Sequence, residues 1–254
     1  MDILEAYRLV VEAAKRGVDV NSAVPLLNEA LNATGPERDR ILAQVASLVA
    51  QAEAEKFWAT VTTVAVAVAA AALAALFLIY HRKIIGFLFL KIHGKRRVAK
   101  GAGKPKTLLF DEEVAAVVAA VAVVAVALAV ALQFPRVEPF TALGLLGPQG
   151  KIGDYPTNVT KGTRVSLYIY VYNHLGHPAW FRVAARFVDS PNATPTPQGF
   201  YVRELFLGHN QSALLPISFT VNATGVLKAE LWMYQPDGTL IYTNRSVHLW
   251  IRAR

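Results

Sequence analysis

The chain has 254 residues, 54% hydrophobic and 17% charged, with a mean hydropathy of +0.35, a net charge of +8 and no cysteine. Soluble domains carry about 25% charged residues, so the composition points to a membrane protein, and the missing cysteines exclude a disulfide scaffold. The charge balance is −3 over residues 1–56, +6 over 57–134 and +5 over 135–254, so the basic excess belongs largely to one short segment and implies no nucleic-acid partner.

In residues 2–16, Ile3, Leu4, Tyr7, Val10, Val11 and Ala14 recur at three and four, the period of an amphipathic helix, with Gly17 as its C-cap. A second helix is expected from about Ser22 to Asn32, with Pro25 in its first turn. A third begins at Pro36 and runs unbroken into the apolar segment that follows. Residues 1–56 therefore read as a small acidic helical bundle, opening on a helical hairpin. Its apolar stripe can pack internally or against the C-terminal region.

Residues 59–79 contain no charge, and 21 helical positions span about 31 Å, enough for a bilayer core. Phe57, Trp58 and Tyr80 flank them like an aromatic belt. Residues 114–132 form a second uncharged run, opened by Asp111, Glu112 and Glu113 and closed by Phe134-Pro135. The expectation is two transmembrane helices, over 57–80 and 114–134. Between them, at 81–113, lie nine basic residues with no acid before Asp111. Loops this basic stay in the cytoplasm, so both termini are expected outside. Residues 84–92 are too short to span and suit a short interfacial helix, with Arg82, Lys83, Lys91, Lys95, Arg96 and Arg97 at lipid headgroups.

Beyond Pro135 the period changes to two, and turn signals separate about seven runs rich in Val, Ile, Tyr, Phe and Trp. This predicts an immunoglobulin-like antiparallel β-sandwich over 135–254. Alternation puts Val165, Leu167, Ile169 and Val171 inside, with Phe181, Val183, Ala185 and Phe187, then Leu227, Ala229, Leu231 and Met233, then Val247, Leu249 and Ile251. The opposite parity holds Tyr168, Tyr170, Tyr172, Trp180, Arg182, Arg186, Trp232, Tyr234 and Trp250. If their strands are neighbours, these residues make an aromatic and basic outer face suited to a partner or a sugar; the alternative is cross-strand stacking or intramolecular cover.

Five of the six asparagines after residue 134 stand in Asn-x-Ser/Thr triplets: Asn158, Asn192, Asn210, Asn222 and Asn244. Asn32 makes a sixth in the helical region. Such triplets accept N-linked glycan on surfaces facing away from the cytoplasm, which agrees with the placement from the basic loop.

The segments Gly147-Pro148-x-Gly150, Tyr155-Pro-Thr-Asn-Val-Thr160-x-Gly162, Val171-Tyr-Asn173 and His177-Pro-Ala-Trp-Phe-Arg-Val183 resemble the domain of unknown function 1616. That family consists mainly of archaeal membrane proteins with an exofacial domain, and the resemblance covers about residues 114–254. It implies an archaeal cell surface and supplies no catalytic residue.

His174 and His177 stand three apart in a turn and His209 and His248 could approach them, but no cysteine or paired carboxylate joins the set, so no metal and no cofactor are expected. Neither a nucleophile elbow nor a glycosidase carboxylate pair is legible, and the chain reads as no enzyme. The expectation is a glycosylated, membrane-anchored surface protein whose partners are lipid, envelope glycoprotein or glycan, or copies of itself. The alternative is an accessory subunit of a larger secretion, glycosylation or respiratory assembly, docking through alanine-rich helices to integral membrane subunits.

Overall fold

A computed structural model describes residues 1–93, Val124 and 138–254, with the backbone alone over 71–93. The chain divides into two units, Met1–Lys56 with Val137–Arg254, and Phe57–Arg136. The first unit therefore joins the two ends of the sequence.

Helix α1 (Ile3–Lys15) is set by its caps. The Asp2 carboxylate accepts from the Glu5 amide at 2.7 Å while Glu5 accepts from the Asp2 amide at 3.2 Å, a complete capping box, and Lys15 sits in the last turn against the carbonyl end. Gly17, at φ +75°, ends it. Helix α2 (Ala23–Asn32) carries Pro25 in its first turn, where no intrahelical donor is lost. Helix α3 (Gly35–His93) contributes Ile41, Leu42, Val45 and Val49 to a core shared with Ile3, Tyr7, Val10, Val24 and Leu27. Arg16 bridges to Glu53, and Lys56 donates to the Arg16 carbonyl, tying α1 to α3.

Residues 84–92, expected as a short helix, are helical and continuous with α3, since no proline interrupts residues 37–93 and Gly86 alone does not stop a helix. The side chains of Arg82, Lys83 and Lys91 lie outside the description, as do Lys95, Arg96 and Arg97 altogether. Among the described residues no helix is long and apolar enough to cross a membrane. The first candidate span, 57–80, has described side chains only to residue 70, and the second, 114–134, lies outside the described residues apart from Val124.

Residues 140–253 form eight strands, one more than the turn signals suggest: β1 (Phe140–Leu146), β2 (Asn158–Val159), β3 (Thr163–His174), β4 (Ala179–Val188), β5 (Tyr201–Leu207), β6 (Gln211–Val221), β7 (Gly225–Tyr234) and β8 (Leu240–Ala253). They build a three-stranded sheet, β1-β3-β6, and a five-stranded sheet, β2-β8-β7-β4-β5. All pairings are antiparallel except the two-residue β2 on β8. The extra strand is β2, too short to leave an alternating signal.

The core between the sheets holds Val165, Leu167, Ile169, Val171, Phe181, Val183, Ala185, Leu227, Ala229, Leu231 and Ile251. Val247, Leu249 and Met233 pack at its margin. Phe187 departs from the expected core set, being 38% exposed at the end of β4, where it meets Phe200 and Phe219. Asn173, fully buried, explains a motif residue. Its amide donates to the carbonyls of His177, Leu207 and Gly208 at 2.8–3.1 Å and its oxygen accepts from the Leu175 amide, locking the β3–β4 turn to the β5–β6 turn.

Candidate contact faces of the β-sandwich

The residues of outward parity do not share one face. Tyr168, Tyr170 and Tyr172 belong to β3 in the three-stranded sheet, whereas Trp180, Arg182, Arg186, Trp232, Tyr234 and Trp250 belong to β4, β7 and β8 in the other. Parity assigns a side of a strand but not the sheet to which the strand belongs, and the outer faces of a sandwich point in opposite directions. A single aromatic-basic surface is therefore not formed.

On the five-stranded sheet the outer face is covered at one end by the N-terminal helices. Trp180 is only 8% exposed, meeting Tyr7 edge-on at 6.0 Å, Phe206 at 5.0 Å and Tyr234 at 4.1 Å between ring centroids. The Tyr7 hydroxyl donates to the Tyr234 carbonyl, and burial pushes its pKa up to about 12. Strand β5 is the sheet's edge, and Asn28 of α2 pairs with it as a strand would. Its oxygen accepts from the Phe206 amide at 2.7 Å and its amide donates to the Phe206 carbonyl at 2.8 Å. Sequence periodicity could find the apolar stripe of α1 but not this pairing, because a single asparagine in a helix carries no signal of its partner.

The same face is covered at its other end by the loop 189–200. Beneath it, Glu230 is fully buried and Lys228 is 4% exposed. Lys228 Nζ lies 2.9 Å and an Arg186 nitrogen 3.5 Å from Glu230 Oε1. These contacts are Coulombic rather than aligned hydrogen bonds, since Glu230 Oε1 has no hydrogen-bond partner among the described residues. The loop supplies the rest. The Thr196 amide donates to Glu230 Oε2 at 2.9 Å, the Ala193 carbonyl accepts from Lys228 at 2.6 Å, and the Thr194 carbonyl accepts from Arg186. Gly199 lets the loop return along β4, where a Cβ would come within 2.1 Å of the Ala185 carbonyl.

Between the two covers lies a narrow strip. Arg182 pairs with Glu204, which also accepts from the Tyr234 hydroxyl at 2.8 Å, and the guanidinium sits 5.3 Å from the Tyr234 ring centroid. Burial, then the Glu204 bond and charge, raise the Tyr234 pKa to about 12. Trp232 packs on Tyr242 at 5.2 Å with its Nε1 buried and unpartnered among the described residues. Trp250, 53% exposed at the far end of β8, is the one tryptophan of this face that is open.

The outer face of the three-stranded sheet is different. Register places Phe140, Ala142, Gly144 and Leu146 of β1 beside His174, Tyr172, Tyr170 and Tyr168 of β3, and Ser212, Leu214 and Pro216 of β6 on the far side. Tyr170 stacks on Tyr172 at 6.5 Å and 10°, Tyr172 on His174 at 6.0 Å and 19°, and Phe140 lies 4.7 Å from His174. Phe140 and Leu214 are 43% and 52% exposed.

All six triplet asparagines, Asn32, Asn158, Asn192, Asn210, Asn222 and Asn244, are exposed, whereas Asn28 and Asn173, outside any triplet, are bonded structurally. Asn210 and Asn244 take left-handed backbone at φ +61° and +58°. The Asn210 oxygen lies 2.5 Å from His174 Nδ1 and accepts from the Tyr172 hydroxyl at 3.1 Å. His209 packs on His174 at 4.7 Å, and its pKa is lowered by burial and then by the neighbouring His174 and His177. His248 lies on β8, on the other sheet. Among the described residues no group of three or more His, Cys, Asp or Glu is placed to hold a metal.

Eight strands in sheets of three and five, with an aliphatic interior and almost wholly antiparallel pairing, define an immunoglobulin-like β-sandwich carrying an N-terminal three-helix region. Residues 135–252 match the family model described as "Domain of unknown function (DUF1616)", so this part of the chain is a DUF1616 domain. Solved structures with a similar sandwich include the CARDB domain of a Pyrococcus furiosus protein in complex with di-metal ions. It is 13% identical, over 47% of this chain and 97% of that one, with a TM-score of 0.32. A chain of the complex between zinc 2-glycoprotein and prolactin inducible protein from human seminal plasma is 10% identical over 48% and 100%, with a TM-score of 0.34. The superoxide reductase (neelaredoxin) of Ignicoccus hospitalis is 13% identical over 44% and 80%, at 0.23. No curated protein matches the chain in sequence.

Proposed function

We propose that this is a non-catalytic, membrane-anchored and N-glycosylated surface protein, whose DUF1616 sandwich makes contacts with other envelope components. The observation that carries the reading is the exposure of every triplet asparagine. Glycan needs an accessible side chain, and all six positions are exposed, although Asn32 Nδ2 donates to the Asn28 carbonyl at 3.1 Å.

The shared core supports the topology. Tyr7, Leu27, Trp180 and Phe206 belong to one hydrophobic cluster, yet 80 and more residues, including both candidate spans, separate the two contributing segments. One apolar core cannot form across a bilayer. The intervening segment then crosses an even number of times, two in this reading, and the nine-base stretch lies on the cytoplasmic side.

The test is glycopeptide mass spectrometry on protein purified from its native host. Sugar on several of Asn158, Asn192, Asn210, Asn222 and Asn244 is expected. Unmodified asparagine at every one of them, with all five peptides observed, would sink the proposal.

A further inference from the structure

We infer that the cleft between the end of β4 and the β6–β7 turn is a carbohydrate seat, filled by the sugar linked to Asn222 of the same chain. The inference rests on the surface-protein reading above and gives one of its glycans a place in the fold.

Three features of this end of the sandwich point to a tethered sugar. First, the acceptor is part of the site. A cleft of about 340 Å³ is lined by Phe187, Asp189, Thr220, Asn222, Thr224 and Gly225. That volume lies at the small end of ligand clefts. Asn222 is exposed, and its side chain hydrogen-bonds to none of the described residues. Its turn is nevertheless fixed. Thr224 Oγ1, the hydroxyl of the same triplet, accepts from the Ala253 amide at 3.0 Å, and the Val221 carbonyl accepts from the Gly162 amide at 2.9 Å. A sugar on Asn222 therefore starts at the rim from a backbone held on both sides. Tethering supplies the local concentration that a free ligand of so small a cleft would lack.

Second, the lining carries the chemistry that a sugar uses. Phe187 is 38% exposed at the end of β4 and is braced by Phe200 at 5.6 Å and Phe219 at 5.2 Å between ring centroids. The negative face of a braced ring suits the polarised C–H groups of a pyranose. The Asp189 carboxylate and the Thr220 hydroxyl line the same cleft, an acceptor and a donor for sugar hydroxyls.

Third, Gly225 opens β7 beside Phe187 without any need of the fold. Its φ is not left-handed, and an added Cβ would lie 3.6 Å from the Val188 carbonyl oxygen and 3.9 Å from the Phe187 ring, both ordinary contacts. Glycine in a strand often marks the close approach of a ligand. What the missing side chain leaves free here is the space beside the ring.

The modification itself is a displacement. Asn222 Nδ2 bonds to the anomeric carbon of a lipid-phosphate glycosyl donor, the carbon–oxygen bond to phosphate breaks with its electron pair, and the amide proton leaves with the phosphate. Once seated, the sugar covers Phe187 and ties β4 to the β6–β7 turn, so it stabilises the fold.

The test is thermal unfolding of the full chain, purified from its native host with sugar on Asn222 verified by glycopeptide mass spectrometry, beside the same chain made without a glycosylation pathway. Asn222→Gln is expected to lower the midpoint of the glycosylated chain by about 2–4 °C and to leave that of the sugar-free chain unchanged. Asn244→Gln, outside the cleft, is expected to move neither. Phe187→Leu keeps an apolar side chain but removes the ring, and Gly225→Ala fills the space beside it. Each is expected to abolish the difference that Asn222→Gln makes, the mark of residues that act together. An equal loss with and without sugar, no loss with sugar attached, the same loss from Asn244→Gln, or a loss that survives both cleft variants would overturn the inference. An Asn222 peptide observed without sugar while other triplets are modified sinks this inference alone. If no triplet is modified, the surface reading falls with it.

Discussion

The two outer faces of the sandwich follow from the same strand alternation and end in opposite conditions. On the five-stranded sheet the outward residues are charged and aromatic, and the chain folds back on them twice, with α1 and α2 at one end and the loop 189–200 at the other. On the three-stranded sheet they are uncharged and aromatic, and no described segment covers them beyond cross-strand stacking. An outward aromatic residue is therefore no site by itself. Whether it is spent on internal packing or left for a partner depends on elements distant in sequence.

The contrast breaks most readily at Glu230. Glu230→Ala leaves Lys228 and Arg186 facing each other in a buried place, and a loss of about 3–5 kcal/mol is expected in chemical denaturation. Glu230→Leu with Lys228→Met, which removes the pair together, should cost far less. Equal losses in the two variants would mean that the cluster is held by packing and not by charge.

Trp180 and Tyr170 set the faces side by side. Trp180→Ala empties a buried site between helices and sheet and should cost about 3–5 kcal/mol, whereas Tyr170→Ala on the open face should cost about 1 kcal/mol or less. Similar melting losses would erase the distinction between the faces.

Asn28→Ala strips the Phe206 backbone of both its partners at the sheet edge. A loss of about 1–3 kcal/mol is expected, accompanied by faster amide exchange at Phe206 and along β5. An unchanged exchange pattern would show that α2 packs against the edge without closing it.

The smallest effect concerns pH. The His209 pKa is lowered in the folded state, so the unfolded chain binds a proton more readily. The histidine's contribution to stability is complete above its unfolded value near 6.5 and is lost as pH falls through the lower folded value. His209→Gln should therefore show a slightly smaller drop in melting temperature between pH 7.5 and 5.5 than the parent chain. A larger drop would reverse the sign of this argument.

Sequence reading reached the sandwich because strands such as Val165–Val171 and Leu227–Met233 alternate cleanly. It reached the helices because stripe and C-cap residues are local, as at Tyr7, Val10 and Gly17, although the Asp2–Glu5 capping box went unread. What it missed is long-range. The division of strands between two sheets turns on pairings such as Tyr170 with Leu214 and Trp180 with Tyr234, which local periodicity does not encode. The burial of Lys228 and Glu230 was hidden because charged residues of outward parity read as solvated, and only the loop 189–200 removes them from water. The continuity of residues 81–93 with α3, in place of a separate short helix, was missed because charge was given weight over the absence of a helix breaker.

The central claim is that the helices and the sandwich form one body on the outer side of the membrane. Single cysteines at Asp39, on α3, and at Arg203, on β5, both exposed, test it with a membrane-impermeant maleimide applied to intact cells of the native host. Labelling of both positions without permeabilisation is the predicted result. Labelling of one position but not the other, or of neither until the cells are opened, would contradict it.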